Sequence, residues 1–215
     1  MSVKSVVAFT TLILILKSMS YGFLSGDIRD LKRADNAEDS IMALVEIGDY
    51  AERKKRAQKV LISCLSSKNP DIRRKAVEIL GNIEEKDSKV IKEIMAMMED
   101  SDPSVRRAAV AATQYHNSFY SAFIRGLKRR ICDKDELVRE MTASTLIELE
   151  RYAFRPLKQI LEEEPCEKGV IEALRVIKEI GRCPSSLYKK VEKYSDSKNR
   201  LIREEAEYIL REYKK

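Results

Sequence analysis

The stretch NPDIRRKAVEILGNI at residues 69–83 returns at 102–116 as DPSVRRAAVAATQYH, 33 residues later. A period of that length constrains the fold more than any other feature of the chain, because it demands a supersecondary unit that stacks on copies of itself. Aligned on the small residue of the motif, the column reads Ala43, Ala76, Ala109, Thr142, Ala173 and Ala206, at separations of 33, 33, 33, 31 and 33. Half a period later a second column reads Ile28, Leu61, Ile94, Leu127, Ile160 and Val191. Two independent columns hold one frame from end to end.

Within each period the apolar residues fall at i, i+3/i+4 and i+7/i+8, the spacing of an amphipathic helix. Ile72, Ala76, Val77, Leu80 and Ile83 share one face; Val90, Ile91, Ile94, Met97 and Met98 share another. KNPD at 68–71, DSDPS at 100–104, DKDE at 133–136 and DSKN at 196–199 supply Asp, Ser or Asn caps, two of them followed by a first-turn Pro. Gly48, Gly81 and Gly181 stand where a left-handed residue would close the preceding helix. The small column marks where neighbouring helices approach closely. One hairpin cannot cover its own apolar face, so the pairs must stack. The expected fold is all-α: an α-solenoid of about six stacked helical hairpins, a single domain over residues 22–215.

PDIRRKAVEILGNI, PSVRRAAVAAT, ELVREMTASTLIEL and RLIREEAEYIL resemble the D-x-x-V-R-x-x-A-x-x-A-L pattern of HEAT repeats and of phycobilisome-lyase-type HEAT-like repeats. DIRDLKRADNAEDSIMALVEIGD at 27–49 is similar across its helix–turn–helix junction. The resemblance implies that the helix bearing the V-R motif lines a concave side, and that its arginine is structural. Ser40 and Val170 depart from the pattern where that arginine is expected, and the unit at about 167–181 is degenerate.

Arg73, Arg106, Arg139 and Arg203 are therefore expected to form a structural ladder, each guanidinium tied to an acidic junction of its own or the adjacent unit. The positions beside them carry the candidate contacts. Arg74, Lys75 and Arg107 make the early motif helices basic; Glu140, Glu172, Glu204 and Glu205 make the later ones acidic. Such a graded face suits an extended or charged polypeptide. Two denser basic clusters, Arg53, Lys54, Lys55, Arg56 and Lys59, and FIRGLKRR at 123–130, support an alternative reading as nucleic-acid contacts. Against the second cluster, Phe119, Phe123 and Leu127 fall four apart and read as core.

No Gly-rich phosphate loop or nucleophile elbow occurs, and His116 is the single histidine, so neither a catalytic constellation nor a metal site is expected. Paired His-Glu motifs of di-iron HEAT-like proteins are absent, as is the Trp typical of HEAT-like DNA glycosylases. No cofactor is expected. Cys64, Cys132, Cys166 and Cys183 form no CxxC pair and read as reduced, small apolar residues. The favoured function is a non-enzymatic scaffold for another protein, in the cytoplasm.

Residues 1–21 allow two readings. The run from Val6 to Leu16 resembles a signal-peptide core, which would make the chain exported or membrane-associated through residues 3–20. Stepping 33 back from Ala43 instead reaches Thr10, which makes the segment a first motif helix, apolar all round and covered by a partner or a second copy.

Overall fold

The computed structural model of the chain describes residues 24–31, 36–49, 55–83, 88–114, 120–163 and 166–213. The readings of residues 1–21 lie outside the described residues, as do Arg53, Lys54, His116 and Phe119. Helices follow one another throughout: α1 (24–31), α2 (Ala37–Gly48), α3 (Lys55–Cys64), α4 (Pro70–Gly81), α5 (Ser88–Met97) and α6 (Pro103–Ala111). They continue as α7 (Tyr120–Arg130), α8 (Glu136–Glu148), α9 (Phe154–Glu163), α10 (Glu167–Ile180), α11 (Ser185–Val191) and α12 (Arg200–Glu212). No strand occurs among the described residues. Even-numbered helices carry the small-residue motif and odd-numbered ones carry the second column. The chain is the expected all-α stack of helical hairpins, divided into two compact units, Met1–Val90 and Ile91–Lys215.

Each motif helix starts the same way. Asn36, Asn69, Asp102, Asp135, Cys166 and Asn199 are its N-caps, and each side chain accepts from a backbone N–H of the first turn. Asn69 Oδ1 takes the N–H of Asp71 at 2.8 Å and Asp102 Oδ1 that of Ser104 at 2.8 Å. Pro70 and Pro103 follow their caps directly, where a missing N–H costs nothing. The caps keep the spacing of the alanine column, so polar start signals and apolar faces stay in phase.

In the first unit α2, α3 and α4 pack on one another around Ala43, Leu44, Ile47, Ala57, Leu61, Ala76, Val77 and Leu80, all buried. In the second, α6, α8, α10 and α12 lie in succession, with α7, α9 and α11 backing them. All six members of the small-residue column are buried, and so are all six of the second column. Thr142 keeps its place in the first because its hydroxyl donates to the Val138 carbonyl at 2.7 Å. Tyrosines stitch the second unit across repeats: Tyr194 donates to Leu161 O at 2.7 Å and Tyr213 to Lys178 O at 3.1 Å.

Three expectations need correction. Gly181 closes α10 at φ +70°, but Gly48 and Gly81 are the last residues of α2 and α4 rather than left-handed caps. Gly48 answers to space instead: a Cβ there would sit 2.9 Å from Ile79 Cγ2 of α4. At the end of the last motif helix, Ile209 and not Leu210 fills the core. Finally, Cys132 and Cys166 are joined by a disulfide with Cα atoms 6.0 Å apart. Only Cys64 and Cys183 stay free; burial pushes the Cys183 thiol up to about 11.

After α8 the chain turns through Glu150, whose φ of +44° lies in the left-handed region that glycine occupies freely. Glu150→Gly is expected to raise stability by about 1 kcal/mol, read from urea denaturation of the full chain.

Candidate interaction surfaces

The arginine column turns inward to the helix junctions. Nη1 of Arg73 donates to Ser67 O at 2.8 Å, that of Arg106 to Asp100 O at 2.9 Å, that of Arg139 to Asp133 O at 2.8 Å, and that of Arg203 to Ser197 O at 2.7 Å. Each carbonyl lies six residues before its arginine, in the turn that precedes the helix. The fork thus satisfies backbone acceptors that a tight junction would otherwise leave bare. Where the pattern lacks arginine, Ser40 donates to Asn36 O at 2.9 Å and Val170 is simply buried.

Arg106 does more. Its Nε and Nη2 donate to the two oxygens of Asp133 at 2.8 and 2.7 Å, with both side chains almost wholly buried. Arg130 adds a third donor at 2.9 Å, and the Asp135 N–H a fourth at 3.0 Å. Burial alone would raise the Asp133 carboxyl, but the Arg106 bonds and the backbone N–H outweigh it and hold the group below the usual carboxylate range. The same bonds from Asp133 hold the Arg106 guanidinium above its ordinary value. The acidic partner was not identified from the sequence; an acid 27 residues after the motif arginine is the signal that names it.

The residues singled out as contacts divide by partner. Arg74 donates to Glu78 at 2.7 Å and to Asp71 at 3.4 Å, and Lys75 lies 3.4 Å from Glu78, so this pair of cations is offset on its own helix. Arg107, half-buried on α6, has no side-chain partner among the described residues. Lys55, Arg56 and Lys59 are exposed on α3. In the 123–130 cluster Phe123 and Leu127 are buried core. Its cations meet carboxylates: Lys128 with Glu163 at 2.6 Å, Arg129 and Arg130 with Glu99 at 3.1 and 2.9 Å.

The later acids are partly matched as well. Glu172 pairs with Arg175, Glu204 with Arg200, and Glu205 with Lys178 at 3.0 Å; Lys178 also lies over the Tyr208 ring at 4.6 Å. Glu136, Glu140 and Glu148 on α8 are exposed and have no side-chain partner among the described residues. Amid them stands Leu137, 52% exposed, and at the same repeat position on α12 stands Leu201, 49% exposed. Sequence reasoning passed over both, although each lies two residues before a ladder arginine. Near the far ends of α8 and α10, a cleft of about 250 Å³ is lined by Ile147, Phe154 and Ile180 with Arg151, Arg182, Glu150 and Glu179.

Among the described residues no group of His, Cys, Asp and Glu could hold a metal ion, and no helix is long and apolar enough to cross a membrane.

Comparison with known proteins agrees with this geometry. Residues 30–114 match the sequence model of the family described as HEAT repeats. No curated protein matches the chain. Among solved structures, the Escherichia coli protein YIBA superposes with a TM-score of 0.52 at 22% identity, over 88% of this chain and 73% of that one. An archaeal HEAT-like repeats protein from Thermococcus onnurineus NA1 gives 0.49 at 14% identity, over 79% and 75%. A designed armadillo repeat protein in complex with the peptide (KR)4 gives 0.48 at 16%, over 88% and 99%.

Asp133→Ala would leave Arg106 charged and buried, so a loss of about 3–5 kcal/mol is expected in urea denaturation, and Arg106→Met/Asp133→Leu should lose far less. The pH dependence follows from the lowered carboxyl. Its stabilisation is complete above the unfolded value near 3.9 and disappears as pH falls through the lower folded value. Acid titration of the double variant should therefore show a shallower loss than the parent over that range.

Proposed function

With the chain placed among HEAT-like repeat proteins, we propose that it is a non-enzymatic scaffold that receives a polypeptide on the motif-helix face of its second unit. The observation that carries this reading is the recurrence of exposed Leu137 and Leu201 at one repeat position. Their neighbours at the adjoining core positions, Val138 and Ile202, are buried as packing requires. Large apolar side chains held in water on rigid helices are suited to anchoring a partner. Around Leu137 the unmatched charges are Glu136, Glu140 and Glu148, which favour a partner bearing Lys or Arg beside its apolar residues. A preformed face binds with little ordering cost. The pairing of Arg74 and Lys75 with Glu78 shifts the centre of this reading from the early motif helices to α8, with Arg107 at its edge.

Exposed Lys55, Arg56 and Lys59 favour the second reading, nucleic-acid binding through α3. The 128–130 cations give it less support, since each faces a carboxylate.

Selection of the full chain against a displayed peptide library is expected to enrich segments with apolar residues flanked by Lys or Arg. Leu137→Asp/Leu201→Asp should weaken those peptides at least tenfold with an unchanged melting temperature; undiminished binding would rule the face out. Salt-dependent binding to arbitrary DNA, lost in Arg56→Glu/Lys59→Glu, would favour the second reading instead.

A further inference from the structure

The junction between α8 and α10 breaks the rule followed by the junction before it. Arg106 of α6 reaches 27 residues ahead to Asp133, and the same step from Arg139 of α8 arrives at Cys166. A thiol residue therefore stands where the carboxylate would be. Its sulfur is bonded to Cys132, the residue just before Asp133, in the turn after α7. Cys166 is also the N-cap of α10, its sulfur accepting the Gly169 N–H at 3.0 Å. Gly169 leaves the space: a Cβ there would lie 2.6 Å from Cys132 Sγ and 2.9 Å from Cys166 Sγ. Three features thus converge on the bond: a replaced partner position, a replaced cap and a glycine slot.

Both bonded cysteines are only half-buried, so a small thiol can reach them. Cys183 is buried with its thiol raised to about 11, which leaves little thiolate to compete. We infer that Cys132 and Cys166 form a reversible dithiol–disulfide couple that sets how firmly α8 and α10 are joined. A small dithiol reductant breaks the S–S bond: two protein S–H groups form, and the reductant becomes a disulfide. A small-molecule disulfide such as oxidised glutathione reverses this. One protein thiolate attacks it, a mixed disulfide forms and releases one glutathione thiol, and the second protein thiolate displaces the other. The bond closes a long loop across the α8–α9 hairpin, so opening it returns chain entropy to the locally unfolded state. It persists in an oxidising compartment and opens in a reducing one.

The test uses the full chain equilibrated with oxidised glutathione and then with dithiothreitol. Peptide mapping of the oxidised, alkylated protein should show one cross-link, Cys132 to Cys166, with Cys64 and Cys183 alkylated. On reduction, hydrogen exchange in α9 and α10 should accelerate on the order of 100-fold, with a smaller effect in α6. Cys132→Ser/Cys166→Ser should exchange like the reduced parent and ignore dithiothreitol. Four alkylated cysteines after oxidation, a cross-link to Cys64 or Cys183, or exchange unchanged by reduction of the parent would each overturn the inference. The parent measurements decide the matter even if the serine variant does not fold.

Discussion

Everything in this chain rests on a close approach between motif helices. Ala43, Ala76, Ala109, Thr142, Ala173 and Ala206 are small because another helix occupies the space a longer side chain would need. Leucines and isoleucines one turn away gain their burial only while that approach holds. Thr142 illustrates the condition: it fits by volume, and its hydroxyl is silenced by a bond to its own helix. Gly48 against Ile79 is the same constraint taken to its limit in the first unit.

Helices brought this near leave their junctions crowded, and polar groups there must find partners inside the protein. Side-chain caps take the first-turn N–H groups, and ladder arginines take the carbonyls of the preceding turn. In the second unit two junctions add a lateral tie. Between α6 and α8 it is the buried Arg106–Asp133 pair, and between α8 and α10 it is a covalent bond beside it in sequence. The first depends on proton activity and the second on electron supply, so neighbouring repeats of similar shape answer to different conditions. Such ties keep the motif helices in fixed register, as a preformed contact face requires.

Surface charge shows why a count of basic residues is a poor guide to binding. Residues 51–75 hold nine Lys or Arg against two carboxylates, yet Arg74 and Lys75 both lean on Glu78. The 128–130 cations, dense in sequence, meet Glu99 and Glu163 from other helices. What remains free is sparser and more selective: Arg107, the acids of α8, and two leucines that recur in the repeat frame.

Period, helix count, caps and core columns were all legible in the sequence, because each is a local pattern that recurs and so can be read against its own copies. Cys166 for an Asn or Asp cap, and Leu137 and Leu201 in one column, were visible too, once that frame is applied. The lateral pairings were not. Arg106 with Asp133, Lys128 with Glu163 and Cys132 with Cys166 join residues 27 to 35 apart. Periodicity tells which face of a helix is buried, but a bond needs two atoms within about 3 Å. That distance is decided by how far one hairpin is offset on the next, and only the packed tertiary structure sets the offset.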